Sequence, residues 1–149
     1  PPCMATSIFA RLRAGVTTTT AEETRSLAAE LGTALPADSV LALHGDLGVG
    51  KTTFVQGLGR GLGVAGNVTS PTFNIFTLHR GKINLLHLDA YRLESPREIE
   101  SLLLEDFMEP PWCLAVEWPE KVATWLPAHA LHLDLSIRPG PAHHVRLRT

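Results

Sequence analysis

The chain has 149 residues, 44% of them hydrophobic, with a formal net charge of −2 and two cysteines. That is enough apolar material for a single domain with a real core, and too little positive charge to grip DNA or RNA unaided. Cys3 and Cys113 make no disulfide framework, and no apolar run reaches the roughly eighteen residues of a membrane helix, so a cytoplasmic protein without membrane contact is expected.

In chain order, the start "PPCM" contains a candidate initiator at Met4; residues 1–4 are set outside the domain, taken as 5–149. "TAEETRSLAAELGTAL" (20–35) opens with a capping box, Thr20 followed by Glu23. Leu27, Leu31 and Leu35 then recur at helical spacing up to Pro36. "SVLALH" (39–44) is a continuous apolar run and predicts a buried strand. It leads into "GDLGVGKTTF", where Gly45, Gly50, Lys51 and Thr52 satisfy the pattern G-x-x-x-x-G-K-[ST]. "TTFVQGLGRGLG" (52–63) carries apolar Phe54, Val55 and Leu58 and predicts the helix that such a loop precedes.

The residue types in this loop have mechanical roles. Glycines let successive N–H groups turn inward as a nest for phosphate oxygens, and the following helix aims its positive end at the same anion. The candidate nucleotide cradle therefore runs through Asp46, Leu47, Gly48, Val49, Gly50, Lys51, Thr52 and Thr53. Lys51 would reach the β- and γ-phosphates, and the Thr52 hydroxyl would ligate Mg2+.

Further along, two β-rich runs in "NVTSPTFNIFTLHRGKINLLHLDAYRL" flank "RGK" and predict a hairpin. "SPREIESLLLED" repeats the capping logic, with Ser95 as N-cap, Pro96 at the first helical position and Glu98 at the third. "WCLAVEWPEKVATWL" reads as a buried strand leading into a short helix. "ALHLDLSIRP" alternates as a half-buried strand with which "HHVRLRT" would pair. The sum is an α/β domain like the P-loop NTPases: a mixed sheet flanked by helices, parallel around the loop and antiparallel at the hairpins.

A phosphate-loop site needs an acid at the end of a neighbouring strand. "INLLHLD" ends at Asp89 and "CLAVE" at Glu117. The run "CLAV" is uninterrupted, as in a central strand covered on both faces, whereas Asn84 and His87 make "INLLHL" look half exposed. On that ground Glu117 is expected beside the loop and Asp89 farther out. His87 reads as a packed strand residue rather than a ligand. Thr72 in "SPTF" suits either a sensor of nucleotide state or a plain turn, and Arg92 either a phosphate contact or a solvated side chain. Trp118 should lie near the nucleotide, with Trp112 and Trp125 in the core or at the rim.

"GDLGVGKTTF", "SPTFNI", "HLDAYRL" and "AVEWPEK", in this order and spacing, resemble the TsaE family over about residues 20 to 137. The resemblance implies a slow Mg2+-dependent ATPase that acts with TsaB and with the transferase TsaD. Together they install N6-threonylcarbamoyl on the adenosine just 3′ of the anticodon in tRNAs reading codons that begin with A. It implies ATP and Mg2+ as cofactors and contact with tRNA only through the complex. It also implies Thr52 and Glu117 as metal ligands, Asp89 as a second acid needed for activity beside Lys51, and Thr24 as a contact near the base. Two departures are visible: Phe73 stands where many members have Tyr, and "PAHHVRL" offers His143 or His144 where members often have an arginine. The competing readings are a small-molecule kinase with the same loop and a non-catalytic ATP-binding module. A GTPase is disfavoured, since neither N-K-x-D nor a strand followed by D-x-x-G occurs.

Overall fold

The structure is a computed structural model that describes residues 7–46, 48–66, 68–69, 75–95 and 97–148. Among the described residues seven strands form one sheet: β1 (Val16–Thr18), β2 (Ser39–His44), β3 (Phe76–His79), β4 (Asn84–Asp89), β5 (Trp112–Glu117), β6 (Leu131–Ile137) and β7 (His143–Leu147). Their spatial order is β1-β7-β6-β2-β5-β4-β3. β2 pairs in parallel with both β5 and β6, and β5 in parallel with β4. The β3–β4 and β6–β7 hairpins are antiparallel, as is β1 against β7. The expected mixed α/β sheet is the sheet observed.

Successive strand residues face opposite sides, and here both sides of the centre are covered. On one side Leu41 and Leu43 of β2, with Cys113 and Ala115 of β5, pack against helices α1 (Ile8–Ala14), α2 (Ala21–Ala34) and α3 (Lys51–Gly61). On the other, Val40, Leu114 and Val116 pack against α4 (Arg97–Ser101) and the 3-10 turns Leu104–Phe107 and Pro119–Val122. This double cover is why β2 and β5 are continuous apolar runs. β6 is covered on one side: Leu133 and Leu135 are buried while His132, Asp134 and Ser136 are partly exposed, hence its alternation.

The reading of β4 as half exposed is corrected. Leu85, Leu86, His87 and Leu88 are all fully buried. β3 covers the outer edge of β4, Leu85 joins one apolar cluster, and Leu86 and Leu88 join the other. The two polar residues that suggested solvent are bonded instead: Asn84 donates to the Glu109 carbonyl at 3.2 Å, and His87 meets Glu117. α1 and β1 were not foreseen, being too short, at seven and three residues, for periodicity to register. The helix after Ser95 lasts only five residues and gives way to a 3-10 turn after Leu103, which lies at φ 52°.

α2 begins as read. The Thr20 hydroxyl accepts from Glu23 N at 3.0 Å, and the Glu23 carboxylate turns back to Thr19, accepting from its N–H and its hydroxyl at 2.6 and 2.7 Å. α2 and α3 approach so closely that backbone meets backbone. A Cβ on Gly57 would overlap the Arg25 carbonyl, and one on Gly61 the Ala29 carbonyl. Overpacking a rigid contact of this kind costs about 1–3 kcal/mol. Gly57→Ala should therefore lower stability by about that much despite alanine's better helix propensity, measured as a fall in the urea midpoint at unchanged m-value.

Candidate nucleotide-binding site

β2 ends at His44, and the chain reaches α3 at Lys51 through the glycine loop. Gly45 has φ 148° and sits so tightly against β6 that a Cβ would lie 2.6 Å from the Leu135 carbonyl oxygen. Gly50 caps α3 at φ 98°, a left-handed conformation that favours glycine. The first-turn N–H groups of α3 have no intrahelical acceptors and point out of its N-terminus, where the helix dipole is positive. They open on a cavity of about 280 Å³ lined by Gly48, Gly50, Lys51, Thr52, Thr53 and Glu117.

Lys51 is only 5% exposed. Its Nζ donates to the Gly45 carbonyl at 2.5 Å and lies 3.6 Å from the centroid of the Trp118 ring. Burial pushes the ammonium below the ordinary lysine range, and the carboxylates of Glu117, Glu120, Asp89 and Asp46 oppose that shift. An ammonium with three donors thus uses one carbonyl and one π-face, a parked arrangement that an anion in the cavity would outbid.

Glu117 is 5% exposed and stands opposite Leu43 of β2 on one side and Asp89 of β4 on the other. The uninterrupted strand is the one beside the loop, and Asp89 lies one strand farther out. Asp89 is half-buried, and its Oδ1 accepts from Tyr91 N at 3.1 Å, capping the 3-10 turn Ala90–Arg92. Glu117 Oε2 and His87 Nε2 are 2.5 Å apart.

Other expected residues fall as follows. Thr52 and Thr53 line the cavity and Asp46 is exposed on the loop; Val49 is buried, and its carbonyl accepts from His143 Nδ1 at 3.1 Å. His143, not His144, is therefore the residue of the last strand that reaches the loop; His144 packs against Gly15 instead. Thr24 is buried with its hydroxyl 2.6 Å from that of Thr18, and it is not among the residues lining the cavity. Arg92 is exposed. Leu47, Thr72 and Phe73 lie outside the described residues. The contact that sequence reasoning missed is His87 with Glu117. Spacing along the chain showed only that His87 and Asp89, two apart on one strand, share a face; that Glu117 lies on the same face follows from the register of β4 with β5.

The polar groups lining the cavity among the described residues are helix-start N–H groups and one ammonium as donors, two hydroxyls, and one carboxylate as acceptor, a set suited to a polyphosphate with a hard divalent cation. Among the described residues no three His, Cys, Asp or Glu side chains converge as a metal site. Strand, glycine loop and helix, beside a parallel strand that ends in an acid, define a phosphate-loop α/β protein of the P-loop NTPase type.

Comparison with known proteins narrows that class. The model of the family described as "Threonylcarbamoyl adenosine biosynthesis protein TsaE" matches residues 18–144. A Nostoc protein named tRNA threonylcarbamoyladenosine biosynthesis protein TsaE is 48% identical over 68% of this chain and 65% of its own length. A Synechocystis protein of the same name is also 48% identical, over 62% of each. The chain thus spans a little less than two thirds of these relatives. The crystal structure of YdiB from Bacillus subtilis superposes with a TM-score of 0.71 at 29% identity, covering 88% of this chain and 81% of that one. The chain belongs to the TsaE family.

The parked lysine makes a spectroscopic prediction. Phosphate in the cavity should draw Nζ off the Trp118 ring and change its emission. The intrinsic fluorescence of the protein should respond to added ATP and Mg2+, and Trp118→Phe should lose most of that response. A full response in the Phe variant would assign the reporter to Trp112 or Trp125.

Proposed function

We propose that this chain is a slow Mg2+-dependent ATPase that serves threonylcarbamoyladenosine formation in tRNA, working with a TsaB–TsaD transferase complex rather than on a small substrate of its own. The observation that carries this reading is the convergence of Lys51, Thr52 and Glu117 on one cavity at the start of α3, in a chain of the TsaE family. The names of the Nostoc and Synechocystis relatives supply the pathway. The net charge of −2 supports contact with tRNA through partners rather than directly.

In this reading the loop backbone at Asp46, Gly48, Val49 and Gly50 cradles the phosphates with the N–H groups of Lys51, Thr52 and Thr53. Lys51 exchanges the Gly45 carbonyl for β- and γ-phosphate oxygens. Thr52 and Glu117 hold Mg2+, which when bound neutralises charge on the transferring phosphoryl group. Asp89, held one strand farther out beside Tyr91, orients water or relays the nucleotide state outward.

The two acids separate in an experiment. Glu117→Ala should weaken binding of Mg-ATP more than binding of ATP in chelator. Asp89→Ala should keep ATP affinity within about tenfold, roughly 1.4 kcal/mol, while removing most hydrolysis. Calorimetry beside a phosphate-release assay reads both, and the reverse pattern would exchange their roles.

Partner coupling is tested directly. Basal hydrolysis should be weak and should rise when TsaB–TsaD is added, and repeated rounds of tRNA modification should require this chain. Phosphorylation of a metabolite without partners would replace this reading with that of a kinase.

A further inference from the structure

We infer that His87 is the positioning residue for the Glu117 carboxylate, fixing which of its oxygens faces the phosphate-loop cavity; the inference rests on the metal-holding role proposed for Glu117.

His87 is fully buried in the middle of β4, between Leu86 and Leu88. A polar ring there is costly unless its polar atoms are bonded. Its Nε2 meets Glu117 Oε2 at 2.5 Å, while Nδ1 has no hydrogen-bond partner among the described residues. The hydroxyl of Thr77, which stands opposite His87 on β3, is 3.1 Å from His79 Nε2 and belongs to that contact. The polar capacity that His87 uses is therefore spent on Glu117. A hydrophobic residue would fill this strand position at lower cost if packing were the whole purpose.

The ring's tautomer follows from the same contacts. With the proton on Nε2 the ring donates to the carboxylate and leaves a bare lone pair at Nδ1. The opposite arrangement would bury an N–H without an acceptor, the rarer and costlier defect. Glu117 Oε2 thereby accepts from the ring, and in this inference Oε1, which has no such bond, is the oxygen turned to the cavity.

The contact also keeps two opposite charges apart. Glu117 and Lys51 line the same cavity, yet Lys51 bonds the Gly45 carbonyl and the Trp118 face rather than the carboxylate. A glutamate released from His87 would be free to swing onto that ammonium, and a cation would then have to break the pair. Outer partners of metal ligands typically influence metal affinity by about 10–100-fold.

The test measures binding of a non-hydrolysable ATP analogue by calorimetry, with MgCl2 and with EDTA, in the parent protein, His87→Leu and His87→Gln. Leucine keeps the bulk and removes the donor; the glutamine amide nitrogen reaches about where Nε2 lies. His87→Leu should lose about tenfold or more in affinity with Mg2+ and change less than about twofold in EDTA. His87→Gln should recover most of the loss. Packing alone would not separate the two variants, nor the two conditions. In the intact parent, imidazole 15N signals should show Nε2 protonated and Nδ1 bare, which covers the case of a leucine variant that fails to fold. Unchanged Mg2+ dependence in a folded His87→Leu, equal loss in both variants, or an Nδ1-protonated ring would overturn the inference while leaving the nucleotide site standing. A parent with no Mg2+-dependent binding would remove the site reading and this inference with it.

Discussion

Because Leu43 of β2 stands opposite Glu117 of β5 in a parallel pair, the phosphate loop and the acid leave the sheet at the same edge and in the same direction. The rest of the chemistry depends on that pairing. A parallel pair needs a crossover, here the segment from α3 through β3 and β4, and that segment also delivers Asp89 and His87 to the next strand. Both faces of the pair are roofed by apolar clusters, so the strand ends are held as firmly as the core itself. Ligand sites of open α/β sheets form at such carboxyl ends.

Charge at this edge is balanced rather than neutral. The N-terminus of α3 and the Lys51 ammonium are positive; Glu117, Asp89, Asp46 and Glu120 are the carboxylates whose fields reach Lys51. Burial lowers the ammonium's pKa while those carboxylates oppose the lowering. The same carboxylates alone would repel a polyphosphate. A divalent cation arriving with the phosphates would reverse the sign of that interaction.

What the sequence disclosed was governed by length and by double cover. Thr20 with Glu23 marked the start of α2, the glycine pattern placed the loop, and the apolar run ending at Glu117 marked a strand roofed on both sides. α1 and β1 escaped because three to seven residues carry too little periodicity. β4 was misjudged as half exposed because Asn84 and His87 interrupt its apolar run; His87 itself is packed, as read, but its partner lies thirty residues away on another strand. Sequence patterns report neighbours along the chain; the bond between His87 and Glu117 exists only through the sheet register. The same holds for His143, whose contact with Val49 spans most of the domain.

That last contact has a bearing on how the protein comes to be made. β7 is the strand that β1 pairs with, it completes the hairpin with β6, and its first residue fastens the carbonyl of Val49. The loop follows β2, yet one of its anchors, His143, lies 94 residues beyond Val49 along the chain. During synthesis, strand, loop and helix therefore emerge long before the hydrogen bond that braces them can form. A nascent chain stalled before β7 carries the whole phosphate-loop motif without its brace and without a partner for β1. The cradle is in this respect complete only once β7 has been made.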